Sequence, residues 1–523
     1  MQLLEQYGEK VLGAIRGLDR IRFRGTFRWL ANDRGLERFL SMSHILLKDF
    51  GRWAQEKTRL VRESCARRAQ ELGVEMVYLR SSAVDKEKLA REMAEKKGIT
   101  EGSICMFSVV ETCVAPGVEG NKATKQIHLV YRPRKCVWIY HYFDHPVLGF
   151  GHVRLQSWLP FTLYVCLNGR HRLEKQMLQK KMAFVKEGNC FPWVCDVAAA
   201  QALFDEQLQT DWPQALNSLV LETCPDLAAI IAPVSFEYYW SADETEWASD
   251  VMFRSPRDLE RLYPSLIRHA MVVSDSASVM RFFGKRSVSL RGQLKGRCPQ
   301  EILSDFRRRY EGVRVKHRIN RNSVKVYNKA GSVLRFETTI NNTRDFKVFR
   351  PAQDDSNGVL SWQTMRKGIS DLHRRCQVSD QCNERYADAV ACASVKESLE
   401  SVARNACNRV SRSGRRYRGL NPWDKNDSRL LRFLGKGELA INGFRNKDLR
   451  SWLYPGADQM TSQEFKRVSS RVTRSLRLLR AHGLIAKVSG VNRYVLSDKG
   501  RKFATALLSA SAADIQTLME IAA

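Results

Sequence analysis

The sequence predicts a multidomain α/β protein of the α+β kind, in which strand-rich and helix-rich stretches are segregated along the chain. Three observations predict this. The chain has 523 residues and is 44% hydrophobic, enough for several buried cores at about 100–200 residues per domain. Residues 126–195 and 312–342 carry short β-branched and aromatic runs bounded by turn residues, which is strand patterning. Residues 52–70, 85–97 and 462–482 carry apolar side chains at three- and four-residue spacing, which is helix patterning.

Taken in order, residues 1–125 read as an N-terminal α/β domain, with a helix over 52–70, a strand over 74–79 and a helix over 85–97. Its stretch DRIRFRGTFRWL places Arg20, Arg22, Arg24 and Arg28 on one face of a strand and Ile21, Phe23, Phe27 and Trp29 on the other. Residues 126–195 form a strand-rich segment built on QIHLVY, CVWIYHYF, HVRLQSW and FTLYVCL, with turns expected at Pro133, at 146–151 and at Asn168-Gly169, and a helix over 172–182. Residues 196–280 read as an acidic helical segment, with helices over 196–209 and 255–269. Residues 281–408 read as a basic sheet followed by a helical connector from 361. Residues 409–425 are polar and punctuated and read as a linker, leaving a last domain over 426–523.

Charge narrows the partner class. There are 86 Lys and Arg against 56 Asp and Glu, a net charge of +30, so polyanions are the expected partners. The excess is segregated. Residues 281–350 hold 19 basic and 5 acidic residues and 411–480 hold 17 and 6, whereas 196–253 holds 11 acids and no Lys or Arg. Two dedicated basic surfaces account for such a distribution. No apolar run reaches the roughly 18 residues of a membrane span. The opening MQLLEQYGEK lacks a signal-peptide pattern. The 13 cysteines are scattered without a CxxC pair, which predicts reduced thiols in a cytoplasmic protein. No GxxxxGK[ST] or GxGxxG is present, so no small-molecule nucleotide cofactor is expected.

The last 90 residues carry the sharpest pattern. Helices are expected over 427–437, 446–453 and 462–482. In the third, Val468, Val472, Leu476 and Leu479 form a buried stripe and Arg467, Arg471 and Arg474 an adjacent basic one. Two short strands, IAKV and RYVLS, follow around a small turn, and Arg493 opens the second. Three helices and a basic hairpin resemble the winged-helix family of helix-turn-helix domains. The resemblance implies that 462–480 is a recognition helix reaching into a nucleic-acid groove with Arg467, Arg471 and Arg474. Arg415 and Arg416, upstream, continue the charge. The alternative is a winged helix used for protein contacts, with solvated arginines.

The central strands VRVKHRI, SVKVYNK and VLRFETTI alternate basic and apolar residues. Arg314, Lys316 and Arg318 share one face of the first, Lys325, Tyr327 and Lys329 one face of the second, and Arg335, Glu337 and Thr339 one face of the third. Such a face suits a phosphate backbone. The pairing VKVYNK with LRFETT resembles rolling-circle replication initiators of plasmids and filamentous phages. That resemblance implies strand nicking, with Tyr327 as strand contact or nucleophile and Glu337 as metal ligand or base. The chain departs from that family in having no His-hydrophobe-His pair. The alternative is a basic sheet with Glu337 ion-paired to a neighbouring Arg.

Two further clusters are metal candidates. His141 and His145 in IYHYFDHP offer zinc-type ligands, although on a strand they lie about 13 Å apart. Asp243 and Glu246, in an acidic and aromatic block, offer carboxylates for Mg²⁺ in phosphodiester hydrolysis. Aromatic packing and a partner-facing acidic surface are the respective alternatives. The chain as a whole looks like an uncharacterised bacterial protein group. The leading expectation is a nucleic-acid-binding protein of a mobile element, gripping DNA or RNA through several basic surfaces, with metal-dependent strand cleavage as an added activity. A non-enzymatic winged-helix transcriptional regulator and an RNA-binding scaffold of a ribonucleoprotein are the alternatives.

Overall fold

The computed structural model describes residues 1–121, 123, 126–232, 237–274, 276–285, 302–352, 358–391, 403–404, 406–412, 414–435, 443–456, 459–488 and 492–512. Stretches of the expected basic region (286–301), of the connector (392–402) and of the last domain (513–523) lie outside the described residues.

The N-terminal part runs α1 (Gln2–Gln6), β1 (Val11–Thr26), α2 (Asp33–Met42), α3 (Phe50–Glu71), β2 (Met76–Leu79), α4 (Lys86–Lys97) and β3 (Gly102–Asn121). Next come β4 (Gln126–His145), β5 (Gly149–Gln156), β6 (Leu163–Asn168), α5 (Gly169–Gln179), β7 (Phe184–Glu187) and β8 (Cys190–Val194). Pro133 does not end a strand as expected. It sits inside β4 opposite Val114, at a point where β5, which pairs only from Trp138 onward, has not yet joined. A missing N–H costs no ladder bond on such an edge.

The acidic segment continues as α6 (Val197–Glu206), α7 (Trp212–Thr223), α8 (Leu227–Ile230), β9 (Tyr239–Phe253), α9 (Pro256–Val273) and α10 (Ser276–Phe282). The acidic block is therefore a long strand, not part of a helical segment. The basic strands follow as β10 (Leu303–Arg309), β11 (Gly312–Ile319), β12 (Asn322–Lys329) and β13 (Val333–Thr339), then β14 (Lys347–Arg350), β15 (Ser361–Thr364) and α11 (Leu372–Ala391). The C-terminal part comprises β16 (Val410–Arg412), β17 (Arg415–Tyr417), α12 (Lys425–Leu434), α13 (Asn446–Leu453), α14 (Ser462–Ala481), β18 (Ile485–Lys487), β19 (Tyr494–Leu496) and α15 (Asp498–Ala512). No helix among the described residues is long and apolar enough to cross a membrane.

The chain divides into two compact units. One comprises Ile15–Ala248 and Thr338–Asp380. Its strands lie in the order β9-β1-β6-β5-β4-β3-β2. The sheet is mixed, because β2 runs parallel to β3 while β3–β4, β4–β5, β5–β6 and β1–β6 are antiparallel. Phe23, Ile139, Val153 and Val165 pack with Phe39, Phe50 and Val61 of α2 and α3 and Leu216 and Leu219 of α7. Trp138, Tyr140 and Tyr142 join a second core with Ala90 of α4.

The other unit comprises Met1–Ala14, Ser249–Glu337 and Gln381–Ala523. Its sheet runs β10-β11-β12-β13-β9, antiparallel through β10–β11–β12. Val315, His317, Ile319, Val324 and Val326 are buried. His317 reaches the Tyr386 hydroxyl of α11 at 3.1 Å, and the Phe282 and Phe336 rings pack on Tyr386. The first residues of the chain belong here. The Gln2 backbone N–H donates to Asp388 Oδ1 at 2.6 Å, and the Arg254 N–H donates to the Lys10 carbonyl at 2.9 Å.

The C-terminal residues of this unit have their own core, in which Leu430, Leu431 and Phe433 of α12 meet Leu449, Val472, Leu476, Leu479, Leu496 and Phe503. The expected linker over 409–425 is part of that body. Ala406 and Leu420 are in the same core, β16 and β17 form a hairpin, and Arg418 grips the buried Asp427 with Nη1 and Nη2 at 2.6 and 2.7 Å.

Candidate nucleic-acid interface

The longest C-terminal helix, α14, is started by a capping box. The Glu464 N–H donates to Thr461 Oγ1, and the Thr461 N–H donates back to Glu464 Oε2 at 3.0 Å. Val468, Val472, Leu476, Leu478 and Leu479 are buried. Arg467, Arg471 and Arg474 are all exposed, at the four- and three-residue spacing that aligns side chains along one face. Lys466 and Arg477 are exposed beside them. No carboxylate among the described residues pairs with the three arginines, so their charge is directed at solvent.

The hairpins around α14 add to this charge. Arg415 and Arg416 are exposed on β17, and Arg412 on β16 donates to the Arg480 carbonyl at the end of α14. Arg493 is half-buried just before β19. Between α12 and α13 one extended residue, Phe444, exchanges two backbone bonds of 2.7 Å with Tyr494 of β19. Gly443 precedes it at φ +57°, where a Cβ would meet the Tyr494 carbonyl oxygen at 2.3 Å. Only glycine fits that left-handed and crowded position.

A second basic feature escaped the sequence reading. Lys425, Ser428, Arg429 and Arg432 of α12 line an open groove of about 560 Å³ together with Trp423 and Trp452. The signal was the i, i+3, i+4, i+7 spacing in KNDSRLLR, overshadowed by the denser arginines of α14.

The central strands are arranged as expected but are not an open surface. Lys316 faces Lys325 across β11 and β12, and Asp305 of β10 faces Lys316. Glu337 is 2% exposed and Tyr327 5%. The Tyr327 hydroxyl donates to Glu337 Oε2 at 2.8 Å, and Lys325 Nζ pairs with Glu337 Oε1. The faces of β12 and β13 thus coincide, but the ion-pair partner is Lys325 rather than an Arg, and a nucleic-acid strand has no access to the buried tyrosine and carboxylate. Arg335 is fully buried against Asp250 and is no phosphate ligand. Arg314 and Arg318 both pair with Asp305, which holds that carboxyl below its usual range despite partial burial. Lys316 and Lys329 are half-buried. Burial, reinforced by Arg318, Lys325 and Arg314, lowers the Lys316 pKa. The sheet is therefore largely self-neutralised. Its exposed cations include Arg307, Arg308 and Arg309 of β10 and Arg318 of β11, the last already paired with Asp305.

The metal candidates are corrected as well. His141 is buried in β4, with Nδ1 at 3.0 Å from Thr223 Oγ1 and Nε2 at 2.9 Å from Ser103 Oγ. Both ring nitrogens are used, and burial pushes its pKa down to about 4. His145 Nδ1 accepts from the Val147 and Leu148 N–H groups at 3.0 and 3.2 Å, closing the turn into β5. Asp243 and Glu246 lie three residues apart on β9, on opposite faces of the strand. Asp243 is taken by Arg22 at 2.7 Å and Lys367 at 2.9 Å. Burial alone would raise its carboxyl, but these two cations hold it below its usual value. Among the described residues no group of three His, Cys, Asp or Glu is placed to hold a metal ion.

No protein-family model, no curated protein and no solved structure matches the chain.

Proposed function

We propose that this protein binds duplex nucleic acid through its C-terminal domain, used as a winged helix with α14 as the recognition helix. The observation that carries this reading is the outward stripe of Arg467, Arg471 and Arg474 on a helix whose other side is the domain core. The order of elements supports it. Among the described residues three helices are followed by the β18–β19 hairpin, and Phe444, an extended residue between the first two of them, pairs with Tyr494 of that hairpin. From Arg467 to Arg474 the helix rises about 10 Å at 1.5 Å per residue, a span of about three phosphates on one strand. Arg415, Arg416 and Arg493 would then contact backbone and fix register, as phosphate contacts do. Strand cleavage is no part of the proposal, because Glu337 and Tyr327 are buried and bonded to one another.

The test is the salt dependence of affinity. Replacing Arg467, Arg471 and Arg474 together by Ala should flatten the slope of log K against log salt by about 2.7, at 0.9 per phosphate contact. An unchanged slope, with duplex affinity intact, would assign α14 to protein contacts instead.

A further inference from the structure

We infer that the groove between α12 and α13 takes an unpaired base of a nucleic-acid strand, stacked on the indoles of Trp423 and Trp452. The inference rests on the nucleic-acid reading above and adds a second ligand form, single-stranded, at a different place on the same domain.

The groove combines two features. Its polar lining is cationic, because Lys425, Arg429 and Arg432 share one stripe of α12 with Ser428. Lys425 and Arg432 are exposed and make no ion pair with a described residue. Its apolar lining is two indoles. Trp423 is 80% exposed and Trp452 37% exposed, large apolar faces left open to solvent in a domain with a well-formed core. An indole face stacks on a base only when that base is unpaired, because in a duplex both faces are covered by neighbours. Cations beside stacking aromatics are the arrangement that holds single strands with little sequence preference. An acidic protein segment would satisfy the cations but would leave the exposed Trp423 face without a planar partner.

The Trp452 indole and the backbone that carries Trp423 are positioned before any ligand arrives. Trp452 Nε1 donates to the Arg429 carbonyl at 3.0 Å, and its ring packs near Phe433. Arg429 Nη2 donates to the Leu453 carbonyl at 2.7 Å, which ties α12 to α13 across the floor of the groove. The Trp423 N–H donates to Asn421 Oδ1 at 3.1 Å. Asp424 then caps α12 through the Asn426 and Asp427 N–H groups. The Asp424 carboxylate is thereby turned to the helix start. Ordering costs that would oppose binding are reduced by this arrangement.

The experiment titrates the full chain with a labelled oligothymidylate strand and, separately, with a blunt duplex. Trp423→Ala is expected to weaken strand binding about 5- to 150-fold, the range of one lost stacking contact, and to change duplex binding by less than about 2-fold. Trp423→Phe should recover most of the loss, because a phenyl ring still stacks. A side chain this exposed contributes little to folding, and unchanged thermal unfolding of both variants checks this. Strand affinity unchanged in Trp423→Ala, while Arg471→Ala with Arg474→Ala still weakens the duplex, overturns the groove and leaves the α14 reading standing. Equal losses for strand and duplex overturn the assignment to unpaired bases, as does displacement of the strand by polyglutamate at equal charge concentration. If the parent chain binds neither form, both readings fall together.

Discussion

Arg335 and Asp250 form a two-pronged ion pair inside the unit that contains β10–β13, with Nε to Oδ1 at 2.6 Å and Nη2 to Oδ2 at 2.8 Å. Both side chains are almost wholly withdrawn from water. A pair of this kind is held by the loss incurred when either partner is removed, because the survivor is left charged in a dry site. Arg335→Met should destabilise this unit by about 3–5 kcal/mol, read by urea unfolding. Nucleic-acid affinity of the folded fraction should not change. A drop in affinity with stability intact would return Arg335 to the binding surface.

The neighbouring Glu337 gives a milder outcome. Glu337→Gln keeps an acceptor for the Tyr327 hydroxyl but removes the counter-charge of Lys325. The expected cost is about 1–3 kcal/mol, typical of a weakened buried polar contact. Nucleic-acid binding should be unchanged, and neither parent nor variant should nick a single strand in Mg²⁺. Nicking by the parent that disappears in the variant would restore a catalytic role to the site.

The α14 arginines should behave in the opposite way. Arg471→Ala with Arg474→Ala should weaken duplex binding while changing stability by no more than about 0.5 kcal/mol per site, as expected of exposed residues that pair with no described carboxylate. Thermal unfolding and a binding isotherm at one salt concentration separate the two effects.

A fourth expectation concerns pH. Burial lowers the pKa of His141 to about 4, that of His171 to about 3 and that of His317 to about 4. Their unfolded value is near 6.5. Below that value the unfolded chain takes up protons that the folded chain refuses, so stability is fully present above about pH 6.5 and falls as pH drops toward 4. Each such histidine contributes a slope of up to about 1.4 kcal/mol per pH unit within that window. His141→Gln keeps polar groups against Ser103 and Thr223 but does not titrate. Its stability profile between pH 6.5 and 4 should therefore be shallower than that of the parent, and parallel profiles would contradict the buried neutral state.

The boundary of the C-terminal domain is also testable. A fragment beginning at 426 lacks Ala406, Leu420 and Arg418, and so leaves Asp427 buried without its partner. A fragment beginning at 403 retains all three. The longer fragment should unfold at distinctly higher urea; equal midpoints would make 409–425 a linker after all.

Legibility in the sequence followed the range of the interactions. The helices and hairpin expected in the last domain could be read because their signals are local: Val468, Val472, Leu476 and Leu479 repeat within one helix. The alternation of Arg314, Lys316 and Arg318 against Val315, His317 and Ile319 was equally local and also held. What failed was non-local. Nothing near Glu337 or Arg335 states that Lys325 and Asp250 will neutralise them, so a self-paired interior read as an open basic face. β9 was obscured because Asp243, Glu244 and Glu246 break its apolar alternation, and partners such as Arg22 and Lys367 lie more than 120 residues away. Pro133 suggested a turn because the lack of a strand on its far side is a property of the sheet, not of the chain.

The contact between Gln2 and Asp388 sets an order of events during synthesis. The two residues lie 386 positions apart. At elongation rates of about 5–20 residues per second, the N-terminal residues emerge about 20–80 s before their partner on α11 is made. Through that interval Leu3 and the start of β1 belong to a unit most of which does not yet exist, while the 15–248 stretch that follows them is already out. A nascent chain probed by limited proteolysis should accordingly protect residues 2–6 late, after α11 has left the ribosome, and not in the order in which its residues were joined.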